Sequence, residues 1–286
     1  MDPRTIFDKF AERIFQISLL QRATRKLIHE EVDSLVQMKE AGGEYTSVDG
    51  FIYYRALDGA VRSLGARHAD IDRALADCRF HKTKQYQWML AEAYEALEDF
   101  LEESYAAAAM RSPGVWWMSD FGNVVPSEVE GKDFSWLLER ARRKKDRPFS
   151  IVERFRASSD SFRRLEEKDA TGANYRVALV LIEKLRHVIV HNNGYIDDLD
   201  AVVTKAVGQC GKDARFKDHL KKIFESYLEQ HDGRSIVCLL ELNLSKDDPM
   251  YRLGGYNDSL GQLLSLLVGF ADLVCETVES FGEKPS

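Results

Sequence analysis

The chain has few of the features that mark a disulfide-rich, metal-binding or membrane-spanning protein. Its four cysteines, Cys78, Cys210, Cys238 and Cys275, are far apart and form no CxxC pair, which argues against a zinc knuckle or a redox motif. The longest apolar run, residues 260–275, is interrupted by polar residues and is too short to span a bilayer. We therefore expect reduced thiols, a cytoplasmic location and no association with membranes.

Several catalytic signatures are missing as well. The sequence contains no Gly-rich phosphate loop, no GxSxG elbow and no kinase motif, and it shows no internal repeat or low-complexity tract. Residues 1–21 alternate charged with apolar residues, which indicates an amphipathic helix rather than a signal peptide. Because the net charge is −7, a polyanionic partner would have to meet a local basic patch.

What is present is the composition of a globular, helical protein. Of the 286 residues, 44% are hydrophobic and 30% are charged, which suffices for one large domain or two small ones. Apolar residues recur at helical spacing from Ile6 to Met38, and Gly42 and Gly43 end that pattern. The periodicity predicts a mainly α fold, a helical bundle with extra helices and a short two-stranded β ribbon.

The helical pattern divides the chain into three regions, which are also compatible with a single domain. Residues 1–110 are predicted to be an N-terminal helical region, 111–134 a loop or short hairpin insertion, and 135–286 a second helical region. Trp116 and Trp117 of the insertion could stack on bases, but their place beside a Pro-Gly turn favours a role in the core.

The individual elements follow from the same periodicity. Predicted helices cover residues up to 40, 47–80, 82–109, 136–143, 149–167, 173–191, 197–207, 214–230 and 257–281. A strand is predicted over 235–244, where leucines alternate with polar residues, and the β ribbon would combine it with residues 114–125.

The predicted helix over 173–191 is apolar on nearly all faces, which indicates the buried, central helix of the bundle. Yet its last two turns contain Arg186, His187 and His191, and the residues that follow, 192–194, are Asn-Asn-Gly. Asparagine and glycine tolerate the left-handed conformation in which helices often end. The sequence therefore concentrates polar chemistry at the end of a core helix.

The charges of these residues bear on their chemistry. A buried arginine keeps its charge and needs an anionic partner, and Glu183, three residues earlier, is one candidate. The negative end of the helix dipole favours protonated His191, whereas a nearby Arg186 favours the neutral form. The two effects would hold the imidazole near the pH range in which acid–base chemistry works.

Arg186 and His191, separated by four residues, resemble the R-x4-H motif of the HEPN superfamily (higher eukaryote and prokaryote nucleotide-binding domains), with the polar His187 directly after the arginine. The following Asn-Asn-Gly is also similar to members of this group. HEPN domains are small helical bundles, commonly dimeric, and many are metal-independent endoribonucleases of toxin, anti-phage and CRISPR-linked systems. The resemblance implies that Arg186 binds phosphate, that His191 is the acid–base residue, and that two motifs meet at a homodimer interface.

The implied activity is endonucleolytic cleavage of RNA without a cofactor, in a defence or toxin system with an antitoxin or regulatory protein as a further partner. Cleavage by the RNA's own 2′-hydroxyl needs a base near that hydroxyl and a cation at the phosphate. On an ideal helix, Arg186 and His191 lie about 140° apart. The helix must therefore end or bend by His191, or the pair must act across subunits.

Residues 140–164 contain ten Lys or Arg against three acidic residues, a local charge of +7. This segment is either a solvated helix face or a track for the RNA backbone. As an RNA track it would include the consecutive basic residues of the segment, together with an asparagine beside the motif. These candidate RNA-binding residues are Arg142, Arg143, Lys144, Lys145 and Asn192.

Other interpretations of the motif stay open. Arg186 could simply pair with Glu183 while the histidines cap the helix. His187 and His191, four residues apart, could bind a metal ion together with Asp197 or Asp198. The chain could also be a catalytically silent helical module that binds RNA, a nucleotide or a partner protein.

Overall fold

The computed structural model describes residues 1–43, 45–122, 124, 126–129, 131–145, 148–243 and 256–281. Its helices are α1 (Pro3–Glu40), α2 (Ile71–Arg111), α3 (Pro126–Val129), α4 (Phe134–Arg142), α5 (Phe149–Ser158), α6 (Asp160–Glu167), α7 (Tyr175–His191), α8 (Leu199–Gln209), α9 (Lys217–Glu225) and α10 (Ser259–Ser280). Its strands are β1 (Ser47–Tyr54), β2 (Val61–Ala69), β3 (Tyr195–Ile196), β4 (Leu228–His231), β5 (Arg234–Val237), β6 (Glu241–Asn243) and β7 (Tyr256–Asp258). The chain is mainly helical with short antiparallel strand pairs, which confirms the predicted class.

The chain forms two compact units. The smaller unit is Leu19–Tyr86, and the larger unit consists of Met1–Ser18 and Gln87–Ser286. Helices α1 and α2 each contribute residues to both units. The division into 1–110, 111–134 and 135–286 stays a prediction.

The sequence predicted a helix over 47–80. That prediction was wrong for residues 47–69, which contain a β-hairpin, whereas residues 71–80 are helical and begin α2. Strands β1 and β2 pair antiparallel, with Phe51 opposite Leu64 and Tyr54 opposite Val61. The aromatic and β-branched run of β1 favours a strand. Gly59, with a φ of +71°, supplies the left-handed residue in the turn between the strands.

Both faces of this hairpin are exposed. Neighbouring residues of a strand point to opposite faces, yet Phe51 and Ile52 are 67% and 66% exposed, and Leu57 in the turn is 84% exposed. In the part of the chain that the structure describes, β1 and β2 pair only with each other. The hairpin therefore contributes little to a buried core.

The core of the larger unit contains a series of contacting aromatic rings. Trp116 stacks on Tyr105 of α2 with 4.6 Å between ring centroids, and Tyr105 meets Phe155 of α5 edge-on at 6.1 Å. Phe155 contacts Phe162 of α6, which contacts Phe270 of α10 at 6.0 Å. These rings connect α2, α5, α6 and α10, and they confirm the core role predicted for Trp116.

The insertion forms turns rather than a β ribbon. Pro113–Val115 and Met118–Asp120 are 3₁₀ turns, and among residues 114–122 and 124 the structure has no strand, so the predicted ribbon partner was wrong. The indole Nε1 of Trp116 donates a hydrogen bond of 2.9 Å to the Tyr105 carbonyl, which fixes this segment against α2. Trp117, in contrast, is 57% exposed.

The later elements match the predictions in position but differ at their ends. The helix predicted over 149–167 is divided at Ser159, whose extended backbone (φ −143°) ends α5 and whose hydroxyl accepts from the Phe162 amide to start α6. The helix predicted over 214–230 stops at Glu225, because residues 228–231 form β4. The strand predicted over 235–244 is two strands, β5 and β6, and residue 244 lies outside the described residues.

Helix α10 is apolar along most of its length. By length and composition it is the one helix in the described part of the chain that could cross a membrane, although a core helix passes the same test. More than half of its most apolar stretch is buried inside the protein. Phe270, for example, contacts Phe162 and Tyr175 from the neighbouring helices.

Candidate functional site

The candidate site is the C-terminal end of α7. This helix begins at Asn174, whose side chain accepts a hydrogen bond of 3.0 Å from the Val177 amide. Its buried residues include Leu181, Ile182 and Leu185, which confirms that α7 is a core helix, while its central place in a bundle stays a prediction. His187, Val190 and His191 are exposed on its last two turns.

The helix ends as the sequence predicts. Asn193 and Gly194 have φ of +53° and +83°, and the amides of Asn192 and Gly194 both donate to the Val188 carbonyl. Such a left-handed end satisfies carbonyl groups that the last helical turn leaves free.

The chain turns directly from this helix end into a small sheet with the order β3-β5-β4, which the sequence analysis missed. The Gly194 carbonyl accepts from the Val237 amide, and the Val237 carbonyl accepts a hydrogen bond of 2.7 Å from the buried Gln87 side chain. A Cβ atom on Gly194 would lie 2.5 to 2.8 Å from the Gln87 side-chain amide. Gln87 and β5 thus hold the end of α7 in place.

Arg186 lies between α7 and α2. Its side chain is 23% exposed, and its guanidinium lies over the Tyr94 ring, 5.7 Å from the ring centroid. The carboxylate that pairs with it is Glu95, with 3.7 Å between Nη2 and Oε1, not Glu183. That separation allows an ion pair but exceeds the length of a hydrogen bond.

Three buried polar atoms around Arg186 have no hydrogen-bond partner among the described protein groups. They are Arg186 Nε, the Tyr94 hydroxyl and Glu183 Oε2. Lys184 Nζ forms an ion pair with that oxygen at 2.8 Å, but the angle between the two groups does not suit a hydrogen bond. Burial and the charge of Glu183 raise the pKa of Tyr94, so its hydroxyl keeps its proton at neutral pH. Buried orphan groups are rare in proteins and often mark functional sites.

His187 and His191 form an exposed pair on α7. Their ring centroids are 4.6 Å apart, as expected for residues one turn apart. Partial burial and the charge of His191 lower the pKa of His187, while Glu183 opposes the shift. Both imidazoles are accessible to a ligand, and so is Asn192.

Arg186 and His191 occupy different sides of the helix. Because α7 is continuous to His191, the two residues keep the separation of about 140° of an ideal helix. Arg186 contacts Tyr94 and Glu95, whereas His191 contacts His187. The helix ends directly after His191, as the sequence allowed, and the two side chains still lie on different sides of it.

The metal interpretation gains no support from the geometry. No group of three or more His, Cys, Asp or Glu side chains within the described ranges could hold a metal ion. Asp197 pairs with Arg234 of β5 at 2.8 Å, and Asp198 accepts from the Ala201 amide as the N-cap of α8. Arg234 also lies over the Tyr195 ring at 4.4 Å.

The four consecutive basic residues of the predicted RNA track have different surroundings. Arg142 pairs with Glu102 at 3.2 Å, and Arg143 pairs with Glu139 one turn earlier. The Lys144 side chain is 10% exposed and pairs with Asp120 at 2.6 Å, while Lys145 is exposed. The track is therefore not a uniform solvated face.

Several residues that complete these surroundings carry no signal in the sequence. Tyr94, Glu95 and Gln87 of α2 precede the motif by about 90 to 100 residues, and Asp120 and Arg154 surround Lys144. No spacing rule connects residues so far apart, because packing of α2 against α7 brings them together.

Comparison with known proteins gives no match: neither a family model, nor a curated protein, nor a solved structure is similar to this chain.

Proposed function

We propose that this chain is a metal-independent endoribonuclease of the HEPN type that acts as a homodimer. Arg186 holds the scissile phosphate, and His191 handles the proton of the 2′-hydroxyl or of the leaving group. His187 orients the reacting groups. The products would carry 2′,3′-cyclic phosphate ends.

The observation that carries this proposal is the incomplete pairing of Arg186. Its Nε is buried without a hydrogen-bond partner among the described groups, and its carboxylate partner is 3.7 Å away. A phosphate would accept from such a guanidinium through two parallel hydrogen bonds. Phosphate binding would therefore satisfy donors that the protein itself leaves unused.

The exposed histidines supply the acid–base chemistry. His187 has a lowered pKa, so at neutral pH it is largely neutral and can accept a proton or a hydrogen bond. His191, 4.6 Å away between ring centroids, can exchange a proton with the same substrate. Cleavage with the internal 2′-hydroxyl as nucleophile needs no metal ion.

The placement of the two motif residues supports the proposed dimer. Arg186 and His191 lie on different sides of one helix, so one substrate would meet both only if a second copy supplies one of them. A two-fold axis near the end of α7 would create two such mixed pairs.

The remaining expectations complete this proposal. Arg142, Arg143, Lys144 and Lys145 would contact the RNA backbone, and Asn192 would contact RNA beside the motif. A cytoplasmic enzyme that cuts RNA needs restraint, so we include an antitoxin or regulatory protein as a partner in a defence or toxin system.

Incubation of the purified chain with total RNA and EDTA tests the activity. We expect His191→Ala to abolish cleavage while RNA binding persists, because a proton-transfer residue acts mainly in the transition state. Arg186→Ala should weaken both. His219→Ala is the matched control, since His219 is another exposed histidine on a helix, and it should cleave like the wild type.

Two results would contradict the proposal. Cleavage by His191→Ala at the wild-type rate would assign the activity to a contaminant or another site. A strictly monomeric chain by light scattering at the concentration of the assay would contradict the shared site.

The second candidate is a catalytically silent module that binds RNA, a nucleotide or a partner protein. The contacts of Arg186 with Tyr94 and Glu95 favour it, because they also suit a purely structural arginine. RNA binding without cleavage in the same assay would support this candidate.

A further inference from the structure

The larger unit contains a basic cavity of about 400 Å³ that is distinct from the motif. The turn around Asp120, the end of α4 and helix α5 contribute to its wall. Its lining includes five positively charged side chains and one carboxylate: Arg140, Arg143, Lys144, Lys145, Arg154 and Asp120. The lining carries a local charge of +4, whereas the whole chain has a net charge of −7. The cavity therefore differs in sign from the chain as a whole.

The deepest charges of the cavity are buried and only partly compensated. The side chains of Asp120, Lys144 and Arg154 are 8%, 10% and 9% exposed. Lys144 Nζ and Arg154 Nε donate to the two Asp120 oxygens at 2.6 and 3.0 Å, and the Tyr105 hydroxyl donates at 2.6 Å. One carboxylate thus faces two cations, so the buried wall keeps one positive charge without an anionic partner in this cluster.

Asp120 stays ionised in this environment. Its burial would raise its pKa, but hydrogen bonds from Lys144 and Tyr105 and the charge of Arg154 together hold the pKa below its ordinary value. At neutral pH, Asp120 therefore contributes one negative charge to the cavity. The five lining cations exceed it by four positive charges.

The outer wall presents cations suited to phosphate. Arg143 is 63% exposed and pairs with Glu139 at the surface, where such pairs are weak. The Arg140 guanidinium lies over the Trp136 ring at 5.1 Å, and a Cβ on Gly122 would come within 3.0 Å of it. A guanidinium can donate two parallel hydrogen bonds to the oxygens of one phosphate. The Lys145 ammonium adds a positive charge on a flexible side chain.

We propose that this cavity binds a small ligand with two or more adjacent phosphate groups. Each phosphate carries up to about two negative charges, so two of them balance the four excess positive charges of the lining. The volume fits a small molecule. The cations converge on one concavity instead of following a line, which favours a compact polyphosphate over an extended RNA backbone.

This inference does not depend on the cleavage residues Arg186 and His191. It assigns Arg143, Lys144 and Lys145, which the ribonuclease proposal places on the RNA backbone, to a compact phosphate ligand instead. The His191→Ala variant should bind polyphosphate like the wild type even where it no longer cuts RNA.

Isothermal titration of the full chain with pyrophosphate and tripolyphosphate tests the proposal. We expect one site per chain, binding that weakens with added salt, and an affinity at least about tenfold above that for inorganic phosphate or sulfate.

Arg143→Ala should weaken pyrophosphate binding about tenfold. Arg163→Ala is its matched control: Arg163 is 61% exposed and pairs with Asp160 three residues away, much as Arg143 is 63% exposed and pairs with Glu139. The control removes one exposed, paired arginine outside the cavity and should leave the affinity unchanged.

Asp120→Asn separates a binding cavity from a purely structural cluster. Loss of the carboxylate should lower the melting temperature and tighten pyrophosphate binding, because the cavity then carries one more positive charge. A structural cluster would lose stability without any gain in affinity. Since Lys144 and Arg154 are buried, their variants are less suitable for this test.

Three outcomes would overturn the proposal. The first is the absence of pyrophosphate and tripolyphosphate binding to the folded wild type. The second is an equal loss of affinity in Arg143→Ala and Arg163→Ala, which would indicate nonspecific attraction. The third is binding of an RNA oligomer that Arg143→Ala weakens but tripolyphosphate does not displace, which would assign the cavity to an RNA track.

Discussion

The arginines of the larger unit differ in how completely they are paired. Arg156 is buried and donates from two nitrogens to Glu166, with Nε at 2.6 Å, and Arg154 Nε donates at 3.0 Å to a buried carboxylate. Arg186, in contrast, has Glu95 at 3.7 Å and an unpartnered Nε. Removing one partner of a buried pair is strongly destabilising, so the first two arginines serve the fold. Arg186 has donors left for a ligand.

The pKa of His187 should depend on the charge of the neighbouring His191. Partial burial and the charge of His191 lower the pKa of His187 below its ordinary value of 6.5. We expect His191→Gln to raise the pKa of His187, because the opposing charge disappears, and Glu183→Gln to lower it further. NMR titration of the imidazole resonances measures both shifts.

The same shift has a consequence for stability. Because folding lowers the pKa of His187, the unfolded chain takes up the proton first, and the native state loses stability as the pH falls below about 6.5.

For the NMR titration, His219→Gln serves as the control and should leave the pKa of His187 unchanged. A pKa of His187 that does not respond to His191→Gln would show that the two rings do not interact in solution.

At the scale of elements, the end of α7 depends on both local and distant groups. The left-handed backbone at Asn193 and Gly194 is a local property of these residue types. The distant contribution comes from Gln87 of α2, whose side-chain amide donates to the Val237 carbonyl of β5 and lies against Gly194. The position of the motif therefore depends on the packing of α2, α7 and the small sheet.

Gly194→Ala should destabilise the chain more than Gly172→Ala. Both glycines have positive φ, +83° and +86°, so each alanine costs about 1–2 kcal/mol for the left-handed backbone. Only at residue 194 does the new Cβ meet another group, the buried Gln87 side chain, which adds about 1–3 kcal/mol. Urea unfolding measures the difference in the free energy of unfolding.

The Gln87→Ala background provides the control for this comparison. Without the Gln87 side chain, Gly194→Ala should cost no more than Gly172→Ala. Equal costs of the two substitutions in the wild-type background would show that Gln87 moves away freely and does not hold the end of α7.

At the scale of the whole molecule, buried apolar area is unevenly distributed between the two units. Most aromatic contacts and most buried side chains belong to the larger unit. The hairpin of the smaller unit exposes Ile52 and Tyr54 on one face and Phe51 on the other, by 66%, 75% and 67%. An isolated two-stranded hairpin is marginally stable, and its open edges can pair with other chains.

The rates of amide hydrogen exchange should follow the distribution of buried apolar area between the two units. We expect the amides of residues 51–54 and 61–64 to exchange about a hundredfold or more faster than those in the middle of α7 and α10, since their hydrogen bonds open locally. Exchange measured by mass spectrometry or NMR at low protein concentration tests this. Residues 181–185 serve as the internal reference for global unfolding.

Equally slow exchange in the hairpin and in α7 would contradict this expectation and show that the hairpin is part of the cooperative core. Protection of the hairpin that increases with protein concentration would show that another copy covers it. The substitution Ile52→Thr should then remove that increase, while Leu27→Thr, at an equally exposed position of α1, should not.

The sequence predicted the helical class and the position of most helices, because periodicity is a local signal. It failed at residues 47–69, where a short aromatic and β-branched run suits a buried helix turn or a strand equally well, and only the pairing of β1 with β2 distinguishes them. It also missed the break at Ser159, since one residue with an extended backbone leaves the apolar pattern of the flanking helices intact.

Two features of α7 could be read from neighbouring residues alone: its apolar composition, which marks a core helix, and the Asn193-Gly194 pair, which ends it. The groups around its end come from distant parts of the chain. Gln87 meets Val237 across 150 residues of chain, and Asp120 gathers Lys144 and Arg154 from 24 and 34 residues away. Such contacts depend on how buried surfaces pack together, and no local spacing encodes that packing.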